Sequence, residues 1–246
     1  MGSYIALTLL VAQALNTAPP QDTEKKADDP IRLPPVVISH TPEELSEVGG
    51  SAHKVNEEKL EKMEYDDPAQ VLYSVPGVYI RQEDAYGLRP NIGLRGANSE
   101  RSKKVTLMED GVLFGPAPYS APAAYYFPLM TRAIGLEVFK GPAAIMYGPQ
   151  TIGGAINILT RDIPRGHKSG VDAAYGQDHY FKLHSHYGWG GPRGGVLVEG
   201  VQLMTTGFKE LDGGGDTGFN KQEIMVKGRL TSDPLADIFH RADLKL

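Results

Sequence analysis

From about residue 167 onward the chain changes polarity at every second side chain, and this constrains its fold more than any other feature. In "HYFKLHSHYGW" one face of an extended strand carries Phe181, Leu183, Tyr187 and Trp189, and the other carries Lys182, His184 and His186. In "KQEIMVKGRLT", Ile224, Val226, Gly228 and Leu230 alternate with Glu223, Met225, Lys227 and Arg229. In "RADLKL", Ala242, Leu244 and Leu246 alternate with Arg241, Asp243 and Lys245. "SGVDAAYGQ" and "VLVEGVQLMTT" complete a set of five strands, joined by turn sequences such as "GGPRGG" and "LDGGGDTG". Strands of about ten residues with aromatics near their ends fit the wall of a membrane β-barrel. A soluble sandwich edge gives the same alternation.

The preceding part reads differently. "LEVFKGPAAIMYGPQTIGGAINILT" places two apolar, strand-like runs, Leu136–Phe139 and Ala155–Leu159, around a middle of Gly, Pro, Ala and Tyr that is too broken for a regular helix. "VTLMEDGVLF" is a hairpin-like pair about Asp110-Gly111. "VNEEKLEKMEY" has a helical pattern, and "DDPAQVLYSVPGV" offers Asp67 as N-cap, Pro68 at the first helical position and Pro76-Gly77 as terminator. Short strands broken by turns fill the rest of Val78–Thr160, so the fold class expected here is α+β, a small mixed sheet with short helices. The 29 Gly and 18 Pro among 246 residues suit such a turn-rich chain.

The N-terminus opens with an apolar stretch, Ile5–Leu15, followed by small residues, with Ala12-Gln13-Ala14 as an A-x-A cleavage site. This is the pattern of a secretory signal peptide over residues 1–18. Its n-region, "MGSY", carries no Lys or Arg, so a mis-assigned start or a buried helix gives the alternative reading. Residues 19–45 have the composition of a flexible linker. Within it "LPPVVISHTP" sets a β-branched run, Val36, Val37, Ile38 and Ser39, between prolines, an extended segment suited to adding a strand to a partner's sheet edge. No other apolar run is long enough for a membrane helix, so any membrane crossing is by strands.

Several chemistries find no support. A net charge of −5 leaves no basic footprint for nucleic acid, and the absence of Cys removes thiol catalysis, disulfides and Cys-ligated zinc. "GGGDTG" at 213–218 matches G-x-G-x-x-G but joins two strand patterns and reads as a loop. His184 and His186 share a strand face and could ligate a metal, yet the sequence shows no third ligand. No metal site, cofactor or enzymatic activity is therefore expected.

The blocks "AQVLYSVPGV", "IGLRGAN", "VTLMEDGVLF" and "IGLEVFKGPAAIMYGPQTIGGAINILTRDIP", in this order, resemble the plug domain of TonB-dependent outer-membrane receptors. The "APY" loop and the "YGPQ…GG…N…TR" block are most similar in look to ferric-dicitrate receptors. The resemblance implies a plug over 46–166 and the first antiparallel strands of a transmembrane β-barrel over 167–246. It assigns Leu33, Val36, Val37, Ile38 and Ser39 to a TonB box. It places Arg81, Arg89, Arg101, Tyr119, Tyr125 and Tyr126 on apical loops facing a ferric chelate, where cationic and phenolic donors suit carboxylates. Arg95 and Lys140 fall where relatives carry basic residues that pair with barrel-wall carboxylates; Lys140 replaces the usual Arg and cannot form its planar fork. Implied partners are TonB with its inner-membrane energising complex, a ferric chelate and outer-membrane lipid, with iron present only in the cargo. The implied location is the Gram-negative outer membrane, with plug and box facing the periplasm. Because such barrels close with about 22 strands, five strands imply the N-terminal part of a longer receptor. A secreted or periplasmic β-rich adhesin module without transport activity is the alternative.

Overall fold

A computed structural model describes residues 50–84, 86–114, 123, 126–148, 150–233 and 240–246. The signal-peptide pattern and the box-like run Leu33 to Ser39 lie outside the described residues. The described chain divides into two compact units, one ending at Arg161 and the other beginning at Asp162.

The first unit is built on a five-stranded mixed sheet. Its strands are β1 (Ser51–Val55), β4 (Val105–Glu109), β5 (Val112–Leu113), β6 (Ala133–Lys140) and β7 (Gly154–Thr160), in the order β1-β6-β7-β4-β5. Only β4 and β7 run parallel. Every residue of β7 is buried, as a central strand covered on both faces requires. A separate hairpin pairs β2 (Val78–Arg81) with β3 (Asn91–Leu94). The core gathers Leu72, Ile92, Leu107, Phe127, Leu136 and Ile156 from sheet, hairpin and helix.

Local chemistry explains the short helices. In α1 (Glu57–Met63) the Asn56 side chain accepts from the Lys59 N–H at 3.1 Å, and Glu57 and Glu58 occupy the electropositive first turn. In α2 (Pro68–Leu72) the Asp67 carboxylate accepts from the Ala69 N–H at 2.7 Å and Pro68 opens the helix. Asp110 and Gly111 both adopt positive φ, 48° and 76°, the backbone of a tight two-residue hairpin turn between β4 and β5.

The Gly/Pro/Ala stretch after β6 forms a 3₁₀ helix, Gly141–Tyr147. With three residues per turn, Gly141, Ala144 and Tyr147 fall on one side. Ala143 and Ala144 are buried, and the Tyr147 ring lies 4.6 Å from that of Phe139. The resemblance to a receptor plug implies that Tyr147 and Ile145 both anchor this turn into the core. Ile145 does not: it is 73% exposed, because the 3₁₀ repeat sets it on the outward side that it shares with exposed Pro142.

Burial, and secondarily the charge of Glu137, pushes the Tyr147 phenol up to about 12. An unfolded chain ionises its tyrosines near pH ~10. Between those values the folded state holds a proton that the unfolded state has lost, so stability falls as pH rises through the window. Tyr147→Phe is expected to flatten this alkaline loss in urea unfolding; an unchanged decline would assign it to other groups.

The second unit is an antiparallel meander of β8 (Gly166–Tyr175), β9 (Phe181–Gly191), β10 (Gly194–Thr205), β11 (Phe219–Thr231) and β12 (Arg241–Lys245). Register places Trp189 opposite Val196 and Tyr187 opposite Val198. These residues, with Leu183, Met204, Ile224 and Leu230, form an exposed apolar face. The opposite face carries Asp172, Lys182, His184, His186, Glu199 and Glu223. The 213–218 glycine motif lies in the β10–β11 loop, where Glu210 and Asp216 form an isolated bridge. No described helix is long and apolar enough to cross a membrane, a fact silent about strands.

Candidate functional site

The β2–β3 hairpin and the 3₁₀ turn Glu100–Ser102 bring three of the sequence-nominated cations to one edge of the first unit. Arg81 ends β2, Arg89 sits in the hairpin loop, and Arg101 occupies the turn with φ of 50°. All three are exposed. Asn91 joins two of them: its amide donates to the Arg81 carbonyl at 3.2 Å, and its carbonyl oxygen accepts from the Arg101 N–H at 2.6 Å. Ser102 completes the brace by accepting from the Ile92 N–H and donating to the Pro90 carbonyl. The Asp84 carboxylate collects the N–H groups of Tyr86, Leu88 and Arg89 and shapes the loop that presents Arg89.

The edge is not purely cationic. Arg81 pairs with Glu83 at 3.3 Å, and Glu100 pairs with Lys103 at 3.2 Å. Both contacts are exposed and contribute little to stability, so they yield readily to a competing anion. The sequence reading missed the bracing residues Asn91, Asp84 and Ser102. Their only signal is a polar side chain beside a Gly/Pro-rich loop, which many unrelated positions share.

Tyr126 belongs to a different cluster. Its hydroxyl accepts from Arg132 Nη2 at 3.4 Å, and Arg132 in turn donates to Glu109 at 2.6 Å in a nearly buried ion pair. Phe114 packs edge-on against Tyr126 and Phe127. Tyr119 and Tyr125 lie outside the described residues.

Arg95 and Lys140 converge on the turn that follows α2. The Arg95 N–H donates to the Gly77 carbonyl at 2.9 Å, and Lys140 Nζ donates to the Pro76 carbonyl at 2.8 Å. The Arg95 guanidinium overlies Gly141, where a Cβ would stand 2.8 Å from Nη1. Lys140 is only 4% exposed. Burial first, and the Arg95 charge second, hold its ammonium below the ordinary lysine range. Two cations held this close favour any carboxylate brought to them.

Residues 44–155 match the family model described as TonB-dependent Receptor Plug Domain. This segment is a TonB-dependent receptor plug. The vitamin B12 transporter BtuB of Vibrio vulnificus is 28% identical over 187 residues, covering 74% of this chain and 30% of that protein. The siderophore receptor PirA from Acinetobacter baumannii superposes with a TM-score of 0.60 at 20% identity, over 84% of this chain and 32% of PirA. The copper transporter OprC gives a TM-score of 0.58 at 21% identity, over 74% of this chain and 29% of OprC. The chain thus spans about a third of the length of these relatives, and it carries the receptor plug followed by the opening antiparallel strands of a barrel wall.

Proposed function

We propose that the protein takes up an iron chelate of the ferric-citrate type across a Gram-negative outer membrane, driven by TonB. The observation that carries this reading is the joining, in one chain, of a plug to strands with one apolar and one polar face. The named relatives handle vitamin B12, a siderophore and copper, so the shared fold leaves the cargo to the loops. Arg81, Arg89 and Arg101, braced at one edge, are the groups suited to an anionic chelate. Arg95 and Lys140 would receive barrel carboxylates and hold the plug in place. The run Val36–Ser39 would pair with an edge of TonB's sheet, with the plug and the box on the periplasmic side.

The test uses the complete receptor in cells, with ferric citrate uptake and binding measured separately. Val37→Pro is expected to abolish uptake and leave binding intact, because proline removes a strand donor. Paired glutamate substitutions at Arg89 and Arg101 are expected to weaken binding on the order of 10-fold or more. Uptake unaffected by Val37→Pro would remove the box assignment, and unaltered affinity would remove the arginines from the site.

A further inference from the structure

On the polar face of the strand sheet, β10 brings a carboxylate, Glu199, to a pair of histidines on β9. His184 and His186 lie on one face of β9, two residues apart. The β9–β10 register sets Glu199 directly across from His186 and Val201 across from His184. The carboxylate leans toward the diagonal neighbour: His184 Nε2 lies 2.7 Å from Glu199 Oε1. One ligand atom from each of His184, His186 and Glu199 lies within 4.8 Å of the other two. We propose that these three residues bind a divalent first-row transition cation of the zinc, nickel or copper class.

The donor set fits that chemistry. Two neutral imidazoles and one carboxylate offer nitrogen and oxygen donors of intermediate hardness, the combination such cations favour over magnesium or calcium. Bonds of about 2.0–2.2 Å keep ligands of one ion within about 4 Å of each other. The observed spacing therefore needs only a small ring adjustment to close.

Glu199 is 1% exposed and His184 9%, and a buried carboxylate gains most from a multivalent partner. Across β8, Gly170 faces His186, and a Cβ there would come within 2.5 Å of the imidazole Cε1. The missing side chain gives the ring its place. Lys182, next along the face, is held by Asp172 at 3.5 Å. Met225, the β11 register partner of Glu199, adds a buried apolar wall. The rival arrangement is a hydrogen-bonded His–Glu pair that binds no ion. This inference does not depend on the cargo proposed above.

Zinc chloride titrated calorimetrically into the metal-free full chain in detergent micelles separates the two. One zinc per chain is expected, with protons released as imidazoles lose them to the metal. His186→Gln and Glu199→Gln are each expected to weaken binding on the order of 100-fold. Glu199→Gln keeps the volume and a hydrogen bond to His184, so its folding is checked by thermal unfolding alongside. Gly170→Ala, which retains every ligand, is expected to weaken binding by crowding the His186 ring. His167→Gln, on the opposite sheet face against Tyr187, is expected to change nothing. Zinc binding no tighter in the wild type than in His186→Gln, or undiminished in Glu199→Gln, would overturn the proposal.

Discussion

Replacing Gly154 with valine is expected to stop the plug sheet from assembling. Gly154 opens the central strand β7 with φ of 151°, a backbone conformation open to glycine and strained for any L side chain. A Cβ there would collide with the carbonyl oxygen of Phe139 on the adjacent strand and stand 2.5 Å from Leu94 Cδ1. Strain at such a φ alone costs about 1–3 kcal/mol. The clash adds to it, because the obstructing atom is sheet backbone that cannot move without breaking the β6–β7 ladder. Moving that backbone would also disturb the small core of Phe139, Ala143, Ala144 and Ala155. Limited proteolysis and circular dichroism of the variant should show the first unit cleaved and its sheet signal reduced. A protected plug with wild-type unfolding would show that β7 can begin elsewhere.

A second large effect is expected from Asn157→Ala. Asn157 is fully buried in the middle of β7, where its carbonyl oxygen accepts from the Gly111 N–H at 2.8 Å and its amide donates to Glu137 at 3.3 Å. Glu137, also fully buried, reaches Lys54 at 3.5 Å. Beside them the Asp110 carboxylate accepts from both the N–H and the hydroxyl of Thr160. A polar line thus crosses the sheet from β1 through β6 and β7 to the β4–β5 turn. Deleting the Asn157 amide takes a partner from the part-buried Gly111 N–H and from the buried Glu137 carboxylate, the latter costing about 1–3 kcal/mol. A loss of about 3 kcal/mol is expected in urea unfolding. Asn157→Asp should be worse still, since it brings a second carboxylate against Glu137. A loss under about 1 kcal/mol would mean that other groups or water replace the amide.

The contrast between these two sites and the rest of the chain shows what the sequence makes legible. The Asp67-Pro68 helix start could be read because its capping chemistry lies within three residues, and the structure forms that cap. The alternation in β9 and β11 could be read because a half-apolar sheet repeats at every second residue. β1 escaped the reading: "SAHKV" alternates weakly, and its place is set by antiparallel pairing with residues more than 80 positions away. Ile145 was misplaced because its apolar character suggests burial, whereas the 3₁₀ turn decides its direction. At the arginine edge the charges are visible in the sequence, but the Asn91 bridge between Arg81 and Arg101 is created only by the fold. Glu199 likewise meets His184 only through the strand register.

The strand order has a mechanical consequence. Among the described strands, β1 lies at one edge of the plug sheet, paired with β6 alone, and is the nearest to the N-terminus. A pull entering from that end reaches Ser51 first, where it pairs with Lys140, and then travels along the antiparallel ladder toward Val55 and Leu136. A pull directed across the strands loads its links to β6 in turn, with the Lys54–Glu137 pair among the last, so this strand is expected to yield before the centre of the sheet. β7, held by β6 on one side and β4 on the other, must lose two ladders before it yields. Tension on the chain's leading end therefore opens a margin of the plug and leaves its centre standing.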